Sequence, residues 1–162
     1  MAGVENKIID NFIDPLLCKT IYTNILRLPM VYNQSSYIGT SKGSRFFMSN
    51  ISQYDNIILY LLEKAKECFN QDLEYLRSYA NIQFKGQDGD WHLDDGDYTI
   101  LLMVSETLKD GKFEINEHKV DFIQNRCVIF NTKQEHRALA SKYAILPRCT
   151  VAIKTKIKNG NN

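Results

Sequence analysis

The chain has 162 residues with 44% hydrophobic and 24% charged side chains and a formal net charge of +1. That length fits one domain able to bury roughly two-thirds of its unfolded surface without staples, and the composition excludes an intrinsically disordered chain. A charge so near zero carries no global signal for nucleic acid or a membrane surface, though it leaves room for a local basic patch. The first residues, Met1 to Lys7, show no apolar signal-peptide core, and no stretch of about 18 apolar residues follows, so the chain reads as cytoplasmic. Its four cysteines, Cys18, Cys68, Cys127 and Cys149, are widely spaced among apolar neighbours. They read as reduced, buried thiols rather than a disulfide or zinc framework.

In chain order, Ile8 to Ile13 predicts a short strand or turn, and Asp14-Pro15 predicts a helix start with an Asp N-cap and Pro in the first turn. Leu16, Leu17, Ile21, Ile25 and Leu28 then recur at helical spacing up to Pro29. From Met30 to Asn50 the pattern is lost, and Gly39 to Arg45 reads as a polar loop, either a solvated connection or a lid over a site. A second amphipathic helix is predicted over 55–70, with Ile57, Ile58, Leu61, Leu62, Ala65 and Phe69 on its buried side. After Gln71 the chain changes to short strands, expected over 78–85, 98–105, 112–115, 119–123, 126–130, 136–140 and 148–157. Turns are expected at Lys109-Asp110-Gly111, Asn116-Glu117-His118 and Gln124-Asn125. Two helices followed by many short strands predict an α+β fold in which helices brace one sheet of a sandwich or jelly roll. The tail, residues 159–162, is expected to be disordered.

The chemistry centres on His92-Leu93-Asp94. Two residues apart on an extended backbone, His92 and Asp94 project to the same face and can converge on one ion. A third ligand must come from the remaining histidines. His118 sits in a predicted turn and reads as exposed, whereas His136 opens a strand after the apolar run Cys127 to Phe130. His92, Asp94 and His136 form a two-histidine, one-carboxylate set that suits Fe(II) with three open positions. Zinc uses the same ligand types, and three unrelated polar residues would give the same letters.

The strand predicted over 148–157 alternates so that Arg148, Thr150, Ala152, Lys154 and Lys156 share one face. If that face turns inward near the His136 strand, Arg148 offers a fork for a carboxylate and Thr150 a further donor. With His92-x-Asp94, then His136, then Arg148-x-Thr150 in this order, the chain from about Ser78 to Ile157 resembles the double-stranded β-helix core of Fe(II)/2-oxoglutarate-dependent oxygenases, nearest their prolyl 4-hydroxylase-like branch.

The resemblance implies a single oxygenase domain over 1–162, with helical support over about 1–72 and a β-helix core over about 73–158. It implies that His92, Asp94 and His136 bind Fe(II), and that Arg148 and Thr150 hold the distal carboxylate of 2-oxoglutarate. It further implies O₂ as oxidant, ascorbate as a reductant, and hydroxylation of an unactivated C–H bond with release of succinate and CO₂. The substrate so implied is a peptidyl side chain such as proline. The alternatives are a cupin-like or inactive relative that binds metal without turnover, and a nucleic-acid oxidative demethylase of the same superfamily. Phe84 and Met103 stand where relatives carry tyrosines, the turn at Lys109-Asp110-Gly111 matches the family's glycine-containing turn only loosely, and Trp91 and the loop Gly39 to Arg45 are candidates for the substrate mouth.

Overall fold

A computed structural model describes residues 6–34 and 45–158. The residues 39–44 of the expected loop and the tail 159–162 lie outside them. Strand β1 (Lys7–Ile9) leads into helix α1 (Pro15–Ile25), β2 (Val31–Gln34), β3 (Phe46–Ile51) and α2 (Asn56–Phe69). Then follow β4 (Leu73–Gln83), β5 (Tyr98–Met103), β6 (Leu108–Ile115), β7 (His118–Phe122), β8 (Cys127–Asn131), β9 (His136–Leu139) and β10 (Arg148–Ile157).

The strands form a seven-stranded sheet in the order β1-β8-β5-β10-β4-β3-β2 and a three-stranded sheet in the order β7-β6-β9. All pairings are antiparallel. The two helices and the two facing sheets make the α+β jelly roll, or double-stranded β-helix, expected from the sequence.

The helices form where their caps allow. The Asp14 carboxylate accepts from the Leu16 and Leu17 amides at 2.9 and 3.1 Å, which satisfies donors that the first turn leaves free. The stripe that predicts helix up to Pro29 stops at Ile25 instead. Arg27 and Leu28 donate to the carbonyls three residues back, of Asn24 and Ile25, so the chain tightens before the proline that the helical backbone cannot precede comfortably. Asp55 caps α2 through the Ile57 amide, and Asn70 closes it in a left-handed conformation (φ 53°), donating to the Lys66 carbonyl.

Strand alternation divides the large sheet between two cores. Cys149, Val151 and Ile153 of β10, Ile100 and Leu102 of β5, and Cys127 and Ile129 of β8 pack beneath the helices. Ala152, Leu101, Met103, Val128 and Phe130 point the other way, against Phe113, Ile115, Val120 and Phe122 of the small sheet. A sheet covered on both faces explains why every residue of β5 is buried.

Three local expectations are corrected. The region 30–50, read as patternless, contains β2 and β3. Their polar connection hid an alternation in which Phe46 and Met48 face between the sheets while Phe47 packs under the helices. Strand β4 starts at Leu73 rather than Ser78, because β10 continues to pair with it past a register shift between Lys154 and Thr155. The turn expected at Lys109-Asp110-Gly111 lies inside β6, where a register shift between Leu108 and Lys112 absorbs it. Gly111 lies so close to Leu108 that an added Cβ would sit 2.9 Å from its Cβ.

Candidate active site

The segment bearing His92 and Asp94 is docked edge-on to β9. His92 and His136 exchange backbone hydrogen bonds at 3.1 and 3.0 Å, and the Asp94 amide donates to the Thr132 carbonyl at 3.1 Å. This pairing places the imidazole centroids 4.2 Å apart. Past Asp94 the chain turns sharply at Gly96, whose φ of +80° favours glycine and whose absent Cβ would meet the Thr155 carbonyl oxygen at 2.5 Å. Thr132 Oγ1 donates to the Gly96 carbonyl at 2.7 Å, tying this turn to the sheet. Gly96→Ala is therefore expected to lower stability by about 1–3 kcal/mol, read from denaturant melts against the parent; an unchanged midpoint would show that the turn has room to shift.

His92, Asp94 and His136 present ligand atoms that all lie within 4.8 Å of one another. His136 Nε2 is 3.1 Å from Asp94 Oδ2, and His92 Nε2 is 3.7 Å from Oδ1. His92 Nδ1 lies 2.8 Å from the Asp90 carbonyl and His136 Nδ1 2.9 Å from the Gln134 carbonyl. A carbonyl can only accept, so both Nδ1 atoms carry the proton and both Nε2 atoms are lone pairs. Two lone pairs and a carboxylate thus face one another across less than 4.8 Å, with the Lys154 amine on the outer side of the carboxylate. The donor set fits a divalent metal of the kind that two imidazoles and one carboxylate hold.

Burial pulls the His92 pKa from 6.5 down to about 4, helped by the charge His136 would carry, and burial likewise lowers that of His136. His92 is then neutral, the ligating form, well below neutral pH, and burial favours the same form of His136. The sign for stability follows. Between about 4 and 6.5 the unfolded chain binds a proton at His92 that the folded chain refuses, so lowering the pH through this window destabilises the metal-free fold, by up to ~1.4 kcal/mol per pH unit. Thermal melts of the metal-free protein over this range check it, with His92→Phe expected to flatten the slope.

The three residues open onto a cavity of about 210 Å³ between the sheets, whose walls include Arg148, Thr150 and Lys154 of β10. Arg148 is 2% exposed. Its Nη1 donates to Gln83 Oε1 at 2.7 Å and its guanidinium lies 5.0 Å from the Phe122 ring centre. Nε and Nη2, and the hydroxyl of Thr150, have no hydrogen-bond partner among the described residues. Burial lowers the Arg148 pKa to about 10, which still leaves it charged at neutral pH. A buried guanidinium with two unused donors beside an unused hydroxyl is complementary to a carboxylate.

Sequence reasoning alone misses several cavity residues. Tyr79, Asn81 and Gln83 line it from β4, alternating with Ala80 and Ile82 beneath the helices. That alternation is readable, but the partner Gln83 offers to Arg148 depends on a strand pairing that is not. Lys154 shares the predicted inward face of β10 without an assigned role, and it donates to Asp94 Oδ2 and to Thr99 Oγ1. Burial pulls its pKa well below the ordinary lysine range.

Other candidates fall elsewhere. Trp91 is 40% exposed, stacked under Arg137 at 4.7 Å, and is not part of the cavity wall. Phe84 is exposed against Phe47, Met103 is buried in the core between the sheets, and His118 is exposed at the start of β7.

No family model matches the sequence, and no curated protein matches it. Solved structures do. A 2OG-Fe(II) oxygenase family oxidoreductase from Burkholderia pseudomallei superposes with a TM-score of 0.77 at 14% identity, covering 99% of this chain and 89% of that one. The chain has the fold of the 2OG-Fe(II) oxygenases. The viral collagen prolyl hydroxylase of Paramecium Bursaria Chlorella virus-1, solved as a 2OG complex, matches with a TM-score of 0.74 at 13% identity over 96% of this chain and 98% of that one. A Trichoplax adhaerens prolyl hydroxylase, in complex with a hypoxia inducible factor oxygen degradation domain peptide fragment, matches at 0.73 and 14% identity over 96% and 84%. Among the described residues no helix is long and apolar enough to cross a membrane.

Proposed function

We propose that this chain is one Fe(II)- and 2-oxoglutarate-dependent oxygenase domain that hydroxylates an unactivated C–H bond of a peptidyl side chain such as proline. The observation that carries the reading is Arg148: a buried cation with unpaired donors, on the same cavity as a converging His92, Asp94 and His136. Either half alone is compatible with a purely structural role, but together they supply a metal site and a carboxylate anchor within one enclosure.

In this reading His92 Nε2, His136 Nε2 and one Asp94 oxygen hold the iron, leaving three positions open. Arg148 grips the distal carboxylate of 2-oxoglutarate through its free N–H groups, with Thr150 Oγ1 donating beside it. Bound iron, 2-oxoglutarate and O₂ together supply the oxidising chemistry, releasing succinate and CO₂. The protein's part is to orient the co-substrate, keep both imidazoles neutral by burial and shield the reaction between two sheets. The peptide assignment draws on the peptide-bound Trichoplax neighbour and on the viral collagen prolyl hydroxylase.

The test is succinate formation by the purified protein with Fe(II), 2-oxoglutarate and ascorbate, across proline-containing peptides, free amino acids and oligonucleotides. Fe(II)-dependent succinate that rises with a peptide supports the reading. Stimulation by oligonucleotides alone replaces the substrate with nucleic acid, and tight metal binding without any succinate leaves a metal-binding relative without turnover.

A further inference from the structure

Lys154 is a costly residue where it stands. Its side chain is 2% exposed on the inner face of β10, where an apolar chain of the same length would fill the space without desolvating an amine. Its contacts account for it. Nζ donates to Asp94 Oδ2 and, at 3.0 Å, to Thr99 Oγ1, while Thr99 Oγ1 itself donates to the same Asp94 Oδ2 at 2.9 Å. Both side-chain hydrogen bonds to the carboxylate thus reach one oxygen, Oδ2, which also lies 3.1 Å from His136 Nε2, while Oδ1 faces His92 Nε2 at 3.7 Å and takes neither bond. Register holds the clamp in place, since Lys154 and Thr99 are directly paired across β10 and β5.

We propose that Lys154 and Thr99 are positioning residues that hold the Asp94 carboxylate by one oxygen, so that it gives a metal a single ligand atom. The inference rests on the reading of His92, Asp94 and His136 as a metal site. Its chemical sense lies in counting positions. Two imidazoles and one oxygen fill three of six; a carboxylate free to swing and chelate would fill four, leaving too few for a two-atom co-substrate and O₂ together. Partners outside the coordination sphere commonly fix a ligand's orientation in this way. Lys154 adds a second donor to the one Thr99 gives Oδ2, and its Nζ lies between Asp94, Thr99 and the Tyr79 ring, 5.6 Å from the ring centre.

The test is titration of the metal-free protein with Co(II), followed by its visible absorption, whose intensity and shape report coordination number. Parent, Lys154→Met, Thr99→Val and Thr99→Ser are compared, with thermal melts of each in the absence of metal. The expected result is a roughly 10–100-fold weaker Co(II) affinity for Lys154→Met and for Thr99→Val, each with an altered spectrum. The double variant should lose less than the two losses combined, because both act on one oxygen, and Thr99→Ser, which keeps the hydroxyl, should restore the parent spectrum. Should Lys154→Met fail to fold, the near-isosteric Thr99→Val and its Thr99→Ser rescue decide the matter. Parent-like affinity and spectrum in the variants would overturn the inference alone, as would tighter binding by Lys154→Met, which would make the lysine a competitor of the metal. A parent that binds no Co(II) would overturn the metal site and the inference with it.

Discussion

Arg148→Met is expected to raise the 2-oxoglutarate dissociation constant by roughly 30–1,000-fold while leaving metal affinity close to the parent's. The magnitude is that of removing one partner from a buried, hydrogen-bonded charge pair, about 2–4 kcal/mol. The selectivity comes from geometry: Arg148 sits on Gln83 and Phe122, whereas the metal-binding side chains are oriented through their other atoms, the two Nδ1 atoms by the Asp90 and Gln134 carbonyls and Asp94 Oδ2 by Lys154 and Thr99. Methionine keeps the aliphatic stem against Phe122, and stability should hold or rise, because a guanidinium with two unpaired donors is a burden to the fold in the absence of an anion. Calorimetric titration of 2-oxoglutarate into the Mn(II)-loaded variant, beside Thr150→Val as a milder loss of one neutral hydrogen bond, measures it. Unchanged 2-oxoglutarate affinity would remove Arg148 from the co-substrate site.

That the arginine can be picked out at all rests on the simplest pattern in the chain. Period two over 148–157 separates Arg148, Thr150, Ala152 and Lys154 from Cys149, Val151 and Ile153, and both faces are buried as far as Thr155, so the pattern is visible there even though neither face is wet. The helices are legible through Asp14-Pro15 and Asp55, whose carboxylates do cap them. What the sequence hides is pairing between distant segments. Nothing local in Asp90 to Asp94 says that it bridges β9, yet that bridge brings the two imidazoles together. Likewise Gln83 meets Arg148 because β4 and β10 are in register there, and β3 joins the cavity wall only by lying beside β4. Side-chain period is a local property, whereas which strand lies next is decided by the whole fold.

The largest effect belongs to the three converging residues. His136→Ala and Asp94→Ala are each expected to weaken divalent metal binding beyond the roughly 10–100-fold that loss of an outer partner brings, and to abolish metal-dependent succinate formation. The two should differ in the metal-free protein. His136 is 3% exposed and packed against Phe113 and Phe130, its ring tilted to the first at 5.7 Å and edge-on to the second at 4.7 Å, so its removal leaves a cavity lined by aromatic rings and lowers stability by about 2–4 kcal/mol. Asp94→Ala instead strips Lys154 of its carboxylate and leaves a buried amine with Thr99 alone, the kind of broken pair that destabilises by about 3–5 kcal/mol unless the amine sheds its proton. Burial already pulls the Lys154 pKa well down, so the loss in Asp94→Ala should shrink as the pH rises, and Asp94→Ala with Lys154→Met should recover stability without recovering metal. Denaturant melts at two pH values together with Mn(II) titration separate these outcomes; metal affinity preserved in either single variant would break up the proposed ligand set.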